Sequence, residues 1–373
     1  MPARDMHGSK IERIMEGKEN CLLQARVKFM TKARRTNQFF LGLIVFYIIA
    51  CFFLVPLLPE RYISNNSGII LSQMIIALPG IVYIIGTRGR TLQDIRFKRI
   101  GFLNIILLIL FTLFMVPAIS FINALSMMFV KNHMAEQLGG MNTNPLWLNL
   151  ILIAFIPAIV EEMIFRGLIY CGYRDSVIKR AIFASALLFG LFHMNINQFC
   201  YAAFMAVVFA LLYEATGSIF ATMIVHFTFN ANTVILQKLI ELYQELVTKL
   251  AETDDSFKKI AEQLTESGSR TTTSFASYPL MEKVYMLFSL FITAFITGII
   301  AVVIFKVIAQ RFHRQNHVRQ ILCSLFGMRC KDREIKEDEY IEDNKKEYGG
   351  KIVDHVFILG VILCITMMIY TGI

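Results

Sequence analysis

The chain has 373 residues, of which 56% are hydrophobic and 17% charged, with 32 phenylalanines and a net charge of +9. A soluble domain carries about 25% charged residues, so this composition excludes an ordinary soluble fold and points to a polytopic membrane protein. The surplus of Lys and Arg lies in tails and loops between apolar runs. There it reports topology, not a nucleic-acid surface, and no nucleic-acid partner is expected.

Residues 1–37 are polar and basic and read as a cytoplasmic arm on anionic lipid, with no cleavable signal peptide. N-terminal transmembrane helices occupy 38–130. Spans are expected at 38–58, at 68–85 and, interrupted by Pro117, at 101–130. The basic stretch 87–99 belongs in the cytoplasm. Trp147 and Tyr170 bracket the next span as interfacial aromatics. Two runs at 181–193 and 199–213 look too short to cross alone.

A further span covers 217–236. Beyond it, Leu239, Leu242, Leu246 and Leu250 continue a helical stripe into an extracytoplasmic amphipathic and Ser/Thr-rich loop, 237–281. The C-terminal helices, 282–373, enclose a charged cytoplasmic loop, 308–350. The fold class is an all-α membrane bundle of about eight or nine transmembrane helices, multi-pass in the cell membrane with a cytoplasmic N-terminus. Seven cysteines, an odd number without a CxxC pair, argue against a disulfide framework.

The chemistry concentrates in Pro157 to Arg166, P-A-I-V-E-E-M-I-F-R, inside the apolar run 147–170. An ionised group near the bilayer centre costs roughly 2.5–3.5 kcal/mol even on lenient scales. Glu161, Glu162 and Arg166 must therefore face protein or water and pair there. Glu162 and Arg166 share a helix face and can form an internal ion pair. Glu161 points about 100° away and is left to face something else. Pro157 leaves the carbonyl of Ile153 without its helical donor. A structural Glu–Arg pair inside a bundle would account for these residues taken alone.

Two more polar patterns lie in neighbouring apolar runs. Phe189-x-x-x-His193 closes one, and His226-Phe-Thr-Phe-Asn230 sits within another. A lone histidine on an apolar helix is usually a packing residue. A carboxylate, two imidazoles and an amide together are the parts needed to activate water and hold an oxyanion.

The ordered set Glu161-Glu162-x-x-x-Arg166, Phe189-x-x-x-His193 and His226-x-x-x-Asn230 resembles the three motifs of the CAAX prenyl protease type II and bacteriocin-processing family, called CPBP or Abi. The resemblance covers a catalytic core at 146–236. It implies a helical intramembrane protease with a cavity open to the cytosol, acting on a membrane-associated protein or peptide. By that resemblance Glu161 is the base that activates water, assisted by His193. His226 and Asn230 hold the oxyanion, and Glu162 with Arg166 fixes the first helix. Zinc is a possible cofactor, and if present Glu161, His193 and His226 would hold it. No HExxH occurs, and a metal-free glutamate mechanism is the favoured expectation. Two other readings fit the same residues. One is a non-catalytic scaffold or bacteriocin-immunity-type protein of the same fold. The other is a proton-coupled transporter that relays protons through Glu161, His193 and His226.

Overall fold

The structure is a computed structural model that describes residues 30–63, 65–130, 144–254, 257–260, 278–328 and 351–372. Most of the arm 1–37 and parts of the loops 237–281 and 308–350 lie outside the described residues. Among the described residues there is no strand. The helices are α1 (Met30–Leu57), α2 (Asn65–Gly86), α3 (Phe102–Ser126), α4 (Leu146–Tyr173), α5 (Ile178–Phe192), α6 (Ile196–Thr216), α7 (Ile219–Thr253), α8 (Leu280–Arg311), α9 (Gln315–Phe326) and α10 (His355–Gly372).

Seven of these, α1 to α4 and α6 to α8, are long and apolar enough to cross a membrane. α5 and α10 are shorter apolar helices. The run expected at 199–213 extends at both ends into the 21 residues of α6. Asn195 caps its start by accepting from the Gln198 amide, and Gly217 ends it at φ 65°. Here capping lengthens a helix whose apolar run looked too short to cross. α3 runs through Pro117 unbroken.

α1 begins at Met30, inside the segment assigned to the basic arm. It is held there by Lys32, which bridges Asp94 at 3.0 Å and Asp175 at 2.8 Å. Asn37 also reaches the Ile352 carbonyl and Asp354. Four described cysteines are free, and Cys323 is disulfide-bonded.

The core is built around α6. One face, with Ala202, Ala206, Ala210 and Tyr213, joins a cluster drawn from α1, α2, α4, α5 and α10. The other face, with Met205, Phe209 and Leu212, packs on α3, α7 and α8. Lipid tails are as apolar as leucine, so close packing, not hydrophobic expulsion, drives this association. Small residues supply it. A Cβ on Gly172 would meet the Thr36 side chain at 2.1 Å, and one on Gly190 would meet Ala203 Cβ at 2.9 Å. About 56% of the apolar window of α6 is buried against 11% for α8, so α6 is interior and α8 peripheral. The segments that the Lys/Arg bias assigns to the cytoplasm meet at one end of the bundle. There Arg96, Arg174, Arg314 and His317 gather on Glu214.

Candidate functional site

α4 is not wound uniformly. It is α-helical over Leu146–Asn149, π-wound over Leu150–Phe155, α-helical over Ile156–Glu162 and π-wound again over Met163–Tyr170. π-winding inside a helix frequently marks a functional position. The α-helical island between the two wide segments carries both glutamates. Pro157 supplies no N–H to Ile153, and the vacancy is filled from another helix. Asn230 Nδ2 donates to the Ile153 carbonyl at 3.2 Å. An uncovered carbonyl in this setting would cost on the order of 1–3 kcal/mol.

Glu162 is fully buried and Arg166 almost so. Glu162 Oε1 accepts from Arg166 Nη1 at 3.0 Å and from His226 Nδ1 at 3.0 Å. The expected ion pair is therefore present. The guanidinium lies between two aromatic faces, with its carbon 4.4 Å from the Phe189 centroid and 4.7 Å from that of Phe209. A desolvated cation over an aromatic face gains up to about 2 kcal/mol, which offsets part of the cost of burial. Phe189 also meets His193 edge-on at 4.9 Å and His226 at 6.2 Å. The phenylalanine of the Phe189-x-x-x-His193 pattern is thus the plate on which the ion pair and both imidazoles are packed.

The two histidines are held by the same ring nitrogen. His193 Nδ1 lies 2.8 Å from the Phe189 carbonyl, and a carbonyl can only accept. His226 Nδ1 faces the Glu162 carboxylate in the same sense. Nδ1 therefore carries the proton in both, and Nε2 is the nitrogen left for chemistry. His226 Nε2 stands 3.9 Å from Glu161 Oε2. Glu161 keeps 14% of its side chain exposed while Glu162 keeps none, so the two adjacent carboxylates have different environments.

The structure brings Glu161, Glu162, Arg166 and His226 into one chain of contacts and joins His193 to it through Phe189. Asn230 stands apart from this chain, on the Ile153 carbonyl. One hydrogen of its amide is used there and one remains. Two contacts escaped the sequence reading. The Glu162–His226 bond joins residues 64 apart and has no local signal. Phe209 belongs to no motif, and only its place on an apolar helix opposite Arg166 could have marked it. Among the described residues, no three His, Cys, Asp or Glu side chains are grouped so as to hold a metal ion.

Residues 143–232, which contain α4, α5, α6 and the first part of α7, match the family model described as Type II CAAX prenyl endopeptidase Rce1-like. No curated protein and no solved structure matches the chain. The flanking helices α1 to α3 and α8 to α10 lie outside the matched segment.

Proposed function

We propose that the Rce1-like segment makes this chain an intramembrane endopeptidase that hydrolyses a peptide bond of a membrane-associated protein or peptide. The observation that carries this reading is His226, which spans the two glutamates: Nδ1 on buried Glu162 and Nε2 toward partly exposed Glu161. Glu162, shared by Arg166 and His226, fixes the imidazole. Glu161, without a cation of its own at hydrogen-bond distance among the described residues, is the carboxylate free to take a proton from water.

The steps balance without a metal. Glu161 accepts a proton from water while the water oxygen attacks the scissile carbonyl carbon. His193, held through Nδ1, presents the Nε2 lone pair to the second water hydrogen and aligns the attack. His226, oriented through Nδ1 by Glu162, lines the oxyanion side of the site. The remaining N–H of Asn230 completes the hole. Protonated Glu161 then delivers its proton to the departing amine as the carbon–nitrogen bond breaks.

Glu161→Gln retains the shape and removes the base. Comparative membrane proteomics of wild-type cells against the Glu161→Gln strain should show protein termini that arise only with the wild type. Identical termini in both would overturn the reading.

A further inference from the structure

A second buried carboxylate lies outside the proposed chemistry. Glu214 has no exposed surface, two residues before the end of α6. Its Oε1 accepts from the Tyr170 hydroxyl at 2.9 Å and from Arg174 Nε. Its Oε2 accepts from Arg174 Nη2 at 2.9 Å, His317 Nε2 at 2.8 Å and Arg314 Nη2 at 3.3 Å. Even its backbone carbonyl is taken, by Arg314 Nε. Both oxygens are filled, because an ionised carboxylate offers only about four lone-pair positions.

A third guanidinium finds no room. Arg96 Nη1 is buried, has no hydrogen-bond partner among the described residues and stops 3.7 Å from Glu214 Oε2, beyond hydrogen-bond range. Among the described residues, three guanidiniums against one carboxylate leave a surplus of two positive charges. The nearest acids in sequence, Asp94 and Asp175, are engaged by Lys32. The side chains of Arg96, Arg174, Arg314 and His317 each remain between 22% and 33% exposed, so the surplus is open on one side.

The position specifies the ligand further. Arg174 follows the last residue of α4, Arg314 follows the end of α8, and Arg96 precedes α3. The surplus donors therefore sit where several spans end, at the level of lipid headgroups. Planar guanidinium forks suit a tetrahedral oxyanion with several acceptor oxygens better than a point charge does.

We propose that Arg96, with Arg174 and Arg314 beside it, forms a binding site for a phosphate group at this end of the bundle. The phosphate is carried by an anionic lipid headgroup or is free in solution. Arg96 is the residue to change, because its backbone contacts survive substitution. Its N–H donates to the Tyr213 hydroxyl at 3.0 Å, and its carbonyl accepts from Ile219 at 2.9 Å.

The test uses the purified full-length protein in nonionic detergent, with thermal melting as the readout, since a ligand that binds only the folded state raises the melting temperature. One arm titrates dioctanoyl phosphatidic acid and the other inorganic phosphate. A saturable rise is expected, with half-saturation shifted at least about ten-fold by Arg96→Gln, less by Arg96→Lys and not at all by Arg99→Gln. Saturation by the lipid alone assigns the headgroup as the source. Saturation by inorganic phosphate alone, or at equal concentration, assigns free phosphate. Absence of a saturable rise in both arms would overturn the site. So would an equal loss in Arg99→Gln, which would mean a diffuse basic surface.

Discussion

The two buried carboxylates, Glu162 and Glu214, invite comparison because the same helix face serves both. Glu162, Arg166 and Tyr170 follow one another at four-residue intervals along α4, and Arg174 continues the series at its C-cap. The first two belong to the inner cluster and the last two to the cluster at the bundle end. The imbalance runs in opposite directions. Around Glu162, two carboxylates share one guanidinium, and the carboxylate left over is Glu161. Around Glu214, three guanidiniums share one carboxylate, and the guanidinium left over is Arg96. In each cluster the ion-paired members hold one another in place, and the group left over is the one we propose acts on something else.

That division can be broken experimentally. The largest effect should come from Glu161→Gln, which removes a general base worth typically 10²–10⁴ in rate. Its melting temperature should stay at the wild-type value, as measured in detergent; a large loss of stability would make Glu161 a structural member. Arg166→Ala should do the reverse. It strands Glu162 in the interior, and removing one partner of a buried pair costs about 3–5 kcal/mol. Reduced folded yield and a lowered denaturation midpoint would show this, whereas normal abundance would remove the pair from the structural side of the comparison.

Asn230→Ala separates two roles of a single residue. Exposing the Ile153 carbonyl should cost on the order of 1–3 kcal/mol, and loss of an oxyanion donor about 10²–10³ in rate. A rate loss without a stability loss would assign Asn230 to the oxyanion alone. Lys32→Ala should be the mildest, within about 1 kcal/mol by denaturant titration, because its bridges to Asp94 and Asp175 are partly solvated.

The inner cluster was legible in the sequence because its key pair is local. Charge in an apolar run must pair, and Glu162 and Arg166 have the spacing to do so. The end cluster was not. Arg174 lies 40 residues from Glu214, and Arg314 and His317 lie 100 and 103 away, so no spacing rule connects them. Arg96 stood out only as a topology marker, within the basic stretch 87–99. Glu214 itself left a signal that went unread: it is the lone acid in the run that became α6, and the rule applied to Glu162 applies to it equally. The apolar spans were visible from hydropathy, but their ends moved wherever a cap or an ion pair extended the helix. Asn195 did this for α6 and Lys32 for α1. The π-winding of α4 had no compositional mark, since it depends on which carbonyls find donors across the bundle.

That winding has a consequence for insertions and deletions. A π segment closes its rings with one residue more than an α turn, so Leu150–Phe155 and Met163–Tyr170 each hold slack that a regular helix lacks. Removing a single residue from either segment could be absorbed by tightening to ordinary α turns, leaving the chain helical. The wide turns then give up their extra residue, and the helix faces on either side keep nearly the same phase. Deleting a residue from the island Ile156–Glu162, which is already α-wound, would instead turn the helix beyond it by about 100°. Glu161 and Glu162 therefore sit in the part of α4 whose length is fixed, between two segments that tolerate a change of one residue.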